Sequence, residues 1–273
     1  MYESEIPLAG GNVSDGVVRV GQTTRRAQGP WSPAVQALLR HLEARGFTGA
    51  PRFLGVDQQG REILSYIEGE MGHYPLRDAW WSQETMVEVA QFVRRYHDAV
   101  SDFVPPPDAR WKQAFPDAAA HEIICHNDIA PYNMVYLHDH PHALIDFDEA
   151  GPGPRTWDLA YAAYCFVPLV HSADADLQRL GLADPERQGR RLRLFCASYG
   201  IDVLPVLEMV GPRLQRMYDT IIERAVDSPA FQKMIEEGHL DFYHSELATY
   251  RRIRSILERV ARQPHDIEED KMG

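Results

Sequence analysis

Hydrophobic and polar positions divide the chain into a strand-rich beginning and a helix-rich remainder. Val17-Val18-Arg19-Val20 is β-branched, Gly21-Gln22 supplies a turn, and Thr23-Thr24-Arg25-Arg26 follows as the second arm of a hairpin. A second hairpin is predicted from Arg52-Phe53-Leu54-Gly55-Val56, a Gln58-Gln59-Gly60 turn and the run from Glu62 to Ile67. Between the two hairpins, Ser32 reads as an N-cap with Pro33 at the first helical position. Val35, Leu38, Leu39 and Leu42 recur there at helical spacing, and Gly46 is the stop. From Ser82 the period is helical, with Met86, Val89, Ala90, Val93 and Tyr96 forming an apolar stripe that leads to His97. Short strands are predicted around Ile123 to Cys125, Met134 to Leu137 and Ala143 to Ile145, and helical patterns run from Trp157 onward.

Composition narrows the class. The 273 residues carry 28 basic and 40 acidic side chains, a formal net charge of −12, with 44% hydrophobic residues, which is ordinary globular usage. The acidic balance and a lysine complement of Lys112, Lys233 and Lys271 argue against a nucleic-acid partner, because phosphate neutralisation needs clustered basic residues. No apolar run approaches the ~18 residues of a membrane span, and the N-terminus lacks the basic and apolar regions of a signal peptide. Cys125, Cys165 and Cys196 have no CxxC spacing, so a disulfide framework is not expected and a reducing cytoplasm is the expected setting.

The segment richest in chemistry is His126-Asn127-Asp128-Ile129-Ala130-Pro131-Tyr132-Asn133, followed after a hairpin by Ile145-Asp146-Phe147-Asp148. Three carboxylates and a carboxamide at adjacent strand ends are hard-oxygen donors suited to magnesium bridging phosphates. Phosphoryl transfer needs one acid to accept or orient the proton of the attacking hydroxyl, while others hold metal against the nucleotide. The run His138-Asp139-His140-Pro141-His142 falls at the hairpin turn and is read as turn chemistry. Cys125 beside His126 is read as a structural thiol, since strand neighbours point to opposite faces.

His126-x-Asp128-x-x-x-x-Asn133 with Ile145-Asp146-Phe147-Asp148 resembles the aminoglycoside phosphotransferase and choline kinase family, whose fold is similar to that of protein kinases. Tyr96-His97 and Gly153-Pro154-Arg155-Thr156-Trp157-Asp158-Leu159-Ala160 extend the match, which covers the chain from Gly10 to about Tyr164. The resemblance implies a two-lobed α+β fold: a small β-rich nucleotide-binding lobe over residues 1–69, and a larger helical lobe over 70–273 with the catalytic loop and substrate-binding helices.

Carried over, it puts Asp128 and His126 in the catalytic loop, Asp128 as the base and His126 mainly as a structural hydrogen-bonding group. Asn133 and Asp146 become magnesium ligands, with Asp148 beside them at a second metal or its water shell. Asp158 supports the loop or caps the following helix. Ser65, Tyr66 and Ile67 match the hinge that binds adenine, Arg25, ahead of Arg26 and Arg19, the cation that anchors phosphate, and Gly11 and Asn12 a turn whose backbone approaches the phosphates. Two departures stand out: no lysine precedes Lys112, and Val35 and Gln36 stand where the helix would carry an acidic partner.

The expected activity is ATP- and magnesium-dependent transfer of the γ-phosphoryl group to a hydroxyl of a small molecule, aminoglycoside-like or an amino alcohol. Asp174, Asp176, Asp219, Glu223, Glu236, Glu237 and Asp241 would suit a cationic acceptor. The competing expectation, motivated by the missing lysine, is a non-catalytic nucleotide or metabolite sensor; a metal-dependent hydrolase would want an HExxH ligand set, which is absent.

Overall fold

The two predicted hairpins join in one antiparallel sheet. The computed structural model describes residues 4–8, 16–170 and 174–263. Strands β1 (Ile6–Pro7), β2 (Val18–Val20), β3 (Thr23–Arg26), β4 (Phe53–Val56) and β5 (Glu62–Ser65) lie in the order β1-β2-β3-β5-β4. Helix α1 (Ser32–Ala44) connects β3 to β4 and buries Val35, Leu38, Leu39 and Leu42, each worth about 1.5–3 kcal/mol of transfer free energy. Its start differs from the sequence expectation. Trp31 already has helical backbone angles and is the N-cap, while the Ser32 hydroxyl accepts the Gly29 N–H at 3.0 Å instead of capping the helix. The predicted Gly10 to Ser14 turn, with Gly11 and Asn12, lies outside the described residues, as does the acidic tail at Glu268 to Asp270.

Two small sheets follow. Strands β6 (Glu70–Met71), β8 (Met134–Leu137) and β9 (His140–Leu144) form one, and β7 (Ile123–Cys125) with β10 (Gly151–Gly153) forms the other. The β8–β9 hairpin turns in two residues, His138 and Asp139, both with positive φ (52° and 66°), so β9 starts three residues earlier than the sequence pattern suggested. Gly69 is required where it is: a Cβ there would lie 2.5 Å from the Tyr136 carbonyl oxygen.

Packing separates the chain into two compact units, one reaching Leu76 together with Phe92–Asp158, the other Arg77–Gln91 together with the chain from Leu159. The first contains the C-terminal part of helix α2 (Gln83–Ala99), with His97, and the first turn of helix α3 (Arg155–Phe166), with Asp158. Both side chains are fully buried. The Asp158 carboxylate accepts the backbone N–H of His126 at 2.7 Å and of Asn127 at 2.8 Å, and His97 Nε2 lies 3.1 Å away. Burial opposes ionisation of Asp158, but these donors prevail and its pKa lies below the ordinary carboxylate value. Burial also lowers the pKa of His97 despite the nearby carboxylate, so the neutral ring donates its Nε2–H.

The second unit is helical: α4 (Ala175–Arg179), α5 (Pro185–Tyr199), α6 (Val203–Ala225), α7 (Pro229–Glu236) and α8 (His239–Ala261). Asp174, Asp184 and Asp202 cap α4, α5 and α6 with their carboxylates, and α8 packs along both α5 and α6. Several of the acids expected to suit a cationic acceptor have local partners. Asp174 is a cap, Asp176 faces Arg179 at 3.4 Å, Glu223 pairs with Arg216 at 2.9 Å, and Asp219 takes the Gln215 amide at 2.9 Å. Among the described residues no single helix is long and apolar enough to cross a membrane, and the three cysteines are buried and form no disulfide.

Two outcomes are expected. In Asp158→Asn one amide hydrogen must face a donor, so urea unfolding should show a loss of about 3 kcal/mol; a loss under about 1 kcal/mol would mean that the loop does not depend on this carboxylate. In the second unit, Glu246 accepts the Tyr164 hydroxyl at 3.2 Å, and burial raises its pKa from 4.5 to about 7. The folded state therefore holds a proton that the unfolded chain releases: its stabilising contribution is full below about pH 4.5 and is lost as pH rises through about 7. Glu246→Gln should remove that part of the decline in melting temperature between these pH values, and an unchanged slope would clear Glu246 of responsibility.

Candidate active site

Between β7 and β8 the chain makes the loop that Asp158 holds from below. Asn127 sits in the left-handed region (φ 65°), a conformation that asparagine tolerates, and its side-chain amide donates to the Glu149 carbonyl at 2.9 Å. His126 is spent on structure. Its Nε2 lies 3.0 Å from the Ile145 carbonyl, and its Nδ1 accepts the Asp128 N–H at 3.3 Å. Those bonds fix the imidazole as the Nε2–H tautomer and tie the loop to the strand end that precedes Asp146.

Asp128 is held at both oxygens. Tyr132 donates its hydroxyl to Oδ1 at 2.8 Å, and Asn133 donates its Nδ2–H to Oδ2 at 2.8 Å and to the Asp128 carbonyl at 3.0 Å. Because the Asn133 amide nitrogen faces Asp128, its carboxamide oxygen is turned the other way. The backbone carbonyl of Asn133 accepts the Ile145 N–H at 2.9 Å, so the backbone of this residue is tied to the strand end that precedes Asp146.

Asp146 also has left-handed backbone (φ 60°) and is 38% exposed, while the following Phe147 is buried edge-on against His126 and Tyr96. That buried ring pins the short helical turn Phe147–Glu149 that carries Asp148.

On the sheet, β3 and β5 pair so that Arg26 lies directly opposite Glu62. The Arg26 Nε donates to Glu62, its Nη1 lies 3.0 Å from Asp146 Oδ1, and its Nη2 lies 2.7 Å from Asp148 Oδ1. Glu62 is fully buried and accepts a second hydrogen bond at 3.2 Å from Gln36 of α1, whose amide also reaches Gln28 at 2.8 Å. Burial, with the like charge of Asp146 adding to it, raises the Asp148 pKa above the ordinary carboxylate value although Arg26 opposes the shift.

Arg25, the expected phosphate anchor, is placed differently. Its Nη1 bonds to Thr23 and Thr24, and its Nε lies 3.9 Å from Asp57. Successive strand residues face opposite sides, so the arginine on the Asp146 side is Arg26. Glu62 and Tyr132 had no assigned role in the sequence reading. The signal for Glu62 was available: an acid opening a strand that runs antiparallel to one ending in arginine falls opposite that arginine when the strands pair end to end.

Ser65, Tyr66 and Ile67, expected at the hinge, come together along a cavity of about 310 Å³ that also touches Thr48, Arg52 and Glu68. Ser65 N–H donates to the Arg52 carbonyl and Tyr66 N–H to the Gln22 carbonyl, both at 2.9 Å, so Ile67 is the one of the three whose N–H is not used in this way. The Arg19 guanidinium stacks over the Tyr66 ring, 3.7 Å from its centroid.

Among the described residues no group of three or more His, Cys, Asp and Glu side chains is arranged to enclose a metal, the histidines of the β8–β9 turn included. What the site offers is the two carboxylates Asp146 and Asp148, with the carboxamide oxygen of Asn133. That sparse oxygen set fits a magnesium ion that keeps water and phosphate as its other ligands. The convergence of both carboxylates on one guanidinium shows that their oxygens already serve a common positive charge.

Comparison with known proteins bears on the family and the fold. The model of the phosphotransferase enzyme family matches residues 73–194. The trifolitoxin immunity protein of Rhizobium leguminosarum bv. trifolii is 38% identical over 202 residues, spanning 72% of this chain and 74% of the relative. Among solved structures, ADP-bound aminoglycoside phosphotransferase APH(2'')-Ib superposes with a TM-score of 0.56 at 13% identity, covering 91% of this chain and 95% of the other. Amicoumacin kinase in complex with AMP-PNP, Ca2+ and its ligand superposes with a TM-score of 0.57 at 12% identity, covering 98% and 91%. At these identities the structural similarity is one of fold, and the fold is the kinase-like α+β one. The chain belongs to the phosphotransferase enzyme family, with the kinase-like fold of its small-molecule kinases.

Proposed function

We propose that the protein transfers the γ-phosphoryl group of ATP to a hydroxyl of a small molecule, with Asp128 as the base and Asn133, Asp146 and Asp148 as the magnesium site. One observation supports this reading: the Asn133 carboxamide nitrogen holds the Asp128 carboxylate, while the Asn133 backbone carbonyl accepts the Ile145 N–H next to Asp146, so one residue ties the base to the strand end of the metal ligands. In this reading Asp128 accepts or orients the proton of the acceptor hydroxyl, while Tyr132 and Asn133 fix the direction of its lone pairs. Magnesium, when bound, supplies charge neutralisation between the β- and γ-phosphates.

Arg26 takes the place of the missing lysine as the phosphate anchor, held through Glu62. The nucleotide base lies at Ser65 to Ile67, whose strand begins at Glu62, three residues and roughly 10 Å before Ser65. Sugar and phosphates bridge that span. The relatives that carry ADP, or AMP-PNP with a divalent ion, support a nucleotide and a metal here. Relatives named for immunity to trifolitoxin and for kinase activity toward amicoumacin support a bioactive acceptor whose phosphorylation protects the cell. An ATP-dependent reaction of this kind belongs in the cytoplasm.

The experiment is calorimetry of ATP binding with and without magnesium, combined with ADP release across aminoglycosides and amino alcohols. Asp146→Asn should lose the magnesium-dependent part of nucleotide binding. Asp128→Ala should keep nucleotide affinity within about threefold while turnover falls by about 10² to 10⁴. Near wild-type turnover in Asp128→Ala would remove the base assignment, and a wild-type chain that binds no nucleotide would leave the non-catalytic metabolite sensor as the better reading.

A further inference from the structure

Three carboxylates converge on a single guanidinium: Glu62 on Nε, Asp146 on Nη1 and Asp148 on Nη2 of Arg26. Two of the three are the acids assigned to the metal, and the inference rests on that assignment. A guanidinium and a divalent cation seek the same carboxylate lone pairs, and their charges repel each other at the separations these oxygens allow. Lys112 does not compete in the same way, since it is engaged with Glu149 at 2.7 Å and lies over the Trp31 ring.

We infer that Arg26 makes metal binding conditional on nucleotide: it competes with the divalent ion for Asp146 and Asp148, and the polyphosphate resolves the competition by giving the guanidinium another anion to hold. Glu62 lets this exchange occur without loss of the arginine. It grips Nε from the neighbouring strand, is itself fixed by Gln36, and is not one of the metal donors, so Arg26 can release the two aspartates and remain in position. The third carboxylate is thus the pivot. An arginine acting by its charge alone would weaken metal binding equally with and without nucleotide, whereas competition resolved by polyphosphate makes the penalty disappear when nucleotide is bound.

The test is binding of Mn2+ to the full chain, read from the electron paramagnetic resonance signal of the free ion, with and without ADP. Wild-type protein should bind Mn2+ weakly alone and at least tenfold more tightly with ADP. Arg26→Gln should bind Mn2+ alone at least tenfold more tightly than wild type and gain little from ADP. Arg26→Lys, a point charge that cannot bridge two carboxylates in the same way, should fall between them. Arg45→Gln removes the same charge from an exposed site and should behave as wild type.

If Arg26→Gln binds Mn2+ no more tightly than wild type, the inference is overturned; if that variant does not fold, an unchanged affinity in Arg26→Lys overturns it equally. Should the tight Mn2+ binding of Arg26→Gln survive addition of Asp146→Asn, the metal assignment itself falls, and the inference with it. A failure of ATP to bind would instead strike the proposed donor while leaving the comparison made with Mn2+ alone intact.

Discussion

A single buried carboxylate sets the geometry of the site. Asp158 has no exposure to water, yet it stays ionised because two backbone N–H groups and a neutral imidazole surround it. The same bonds meet a need of the loop: two consecutive amides, one of them in a left-handed residue, have no strand or helix to pair with and would otherwise be buried without acceptors. Loop conformation and carboxylate charge therefore stabilise each other. His126, Phe147 and Tyr96 pack around this centre, and through them Asp128 and Asp146 take their positions.

A second constraint concerns charge. Protein kinases link their helix to the nucleotide site through a lysine and a helical glutamate. In this chain Arg26 is paired with an acid of the neighbouring strand, Glu62, and helix α1 reaches that acid through the neutral amide of Gln36. An amide–carboxylate bond carries less energy than an ion pair but still fixes distance and direction. The helix is thus coupled to the site by geometry, with the ionic interaction kept inside the sheet.

Much of this could be read in the residues themselves. The motif spanning Asp128, Asn133 and Asp146 marked residues that the fold brings to one loop and the adjoining strand end, and the apolar periods of α1 and α2 were legible because each helix buries one stripe. The choice between Arg25 and Arg26 was not legible, because it depends on strand pairing, and a shift of one residue exchanges the two faces. The start of β9 was missed because a two-residue turn with both φ values positive demands no glycine when histidine and aspartate tolerate the conformation. The acidic residues of the helical unit looked like one surface in the sequence, whereas folding gives several of them caps and partners of their own.

The doubled sequence of β3 has one more effect. Thr23-Thr24-Arg25-Arg26 pairs so that Thr24 meets Leu64 and Arg26 meets Glu62. Pairing displaced by a single residue would set Thr23 against Leu64 and Arg25 against Glu62, the same residue types in the same places. The side chains of this strand are degenerate with respect to alignment on that face. What selects one alignment is the tight connection from β2, with Gly21 at φ 57° and the Thr23 hydroxyl closing onto the Val20 carbonyl at 2.7 Å. The identity of the arginine that meets the acids is thus decided in a turn, several residues away from the charges it aligns.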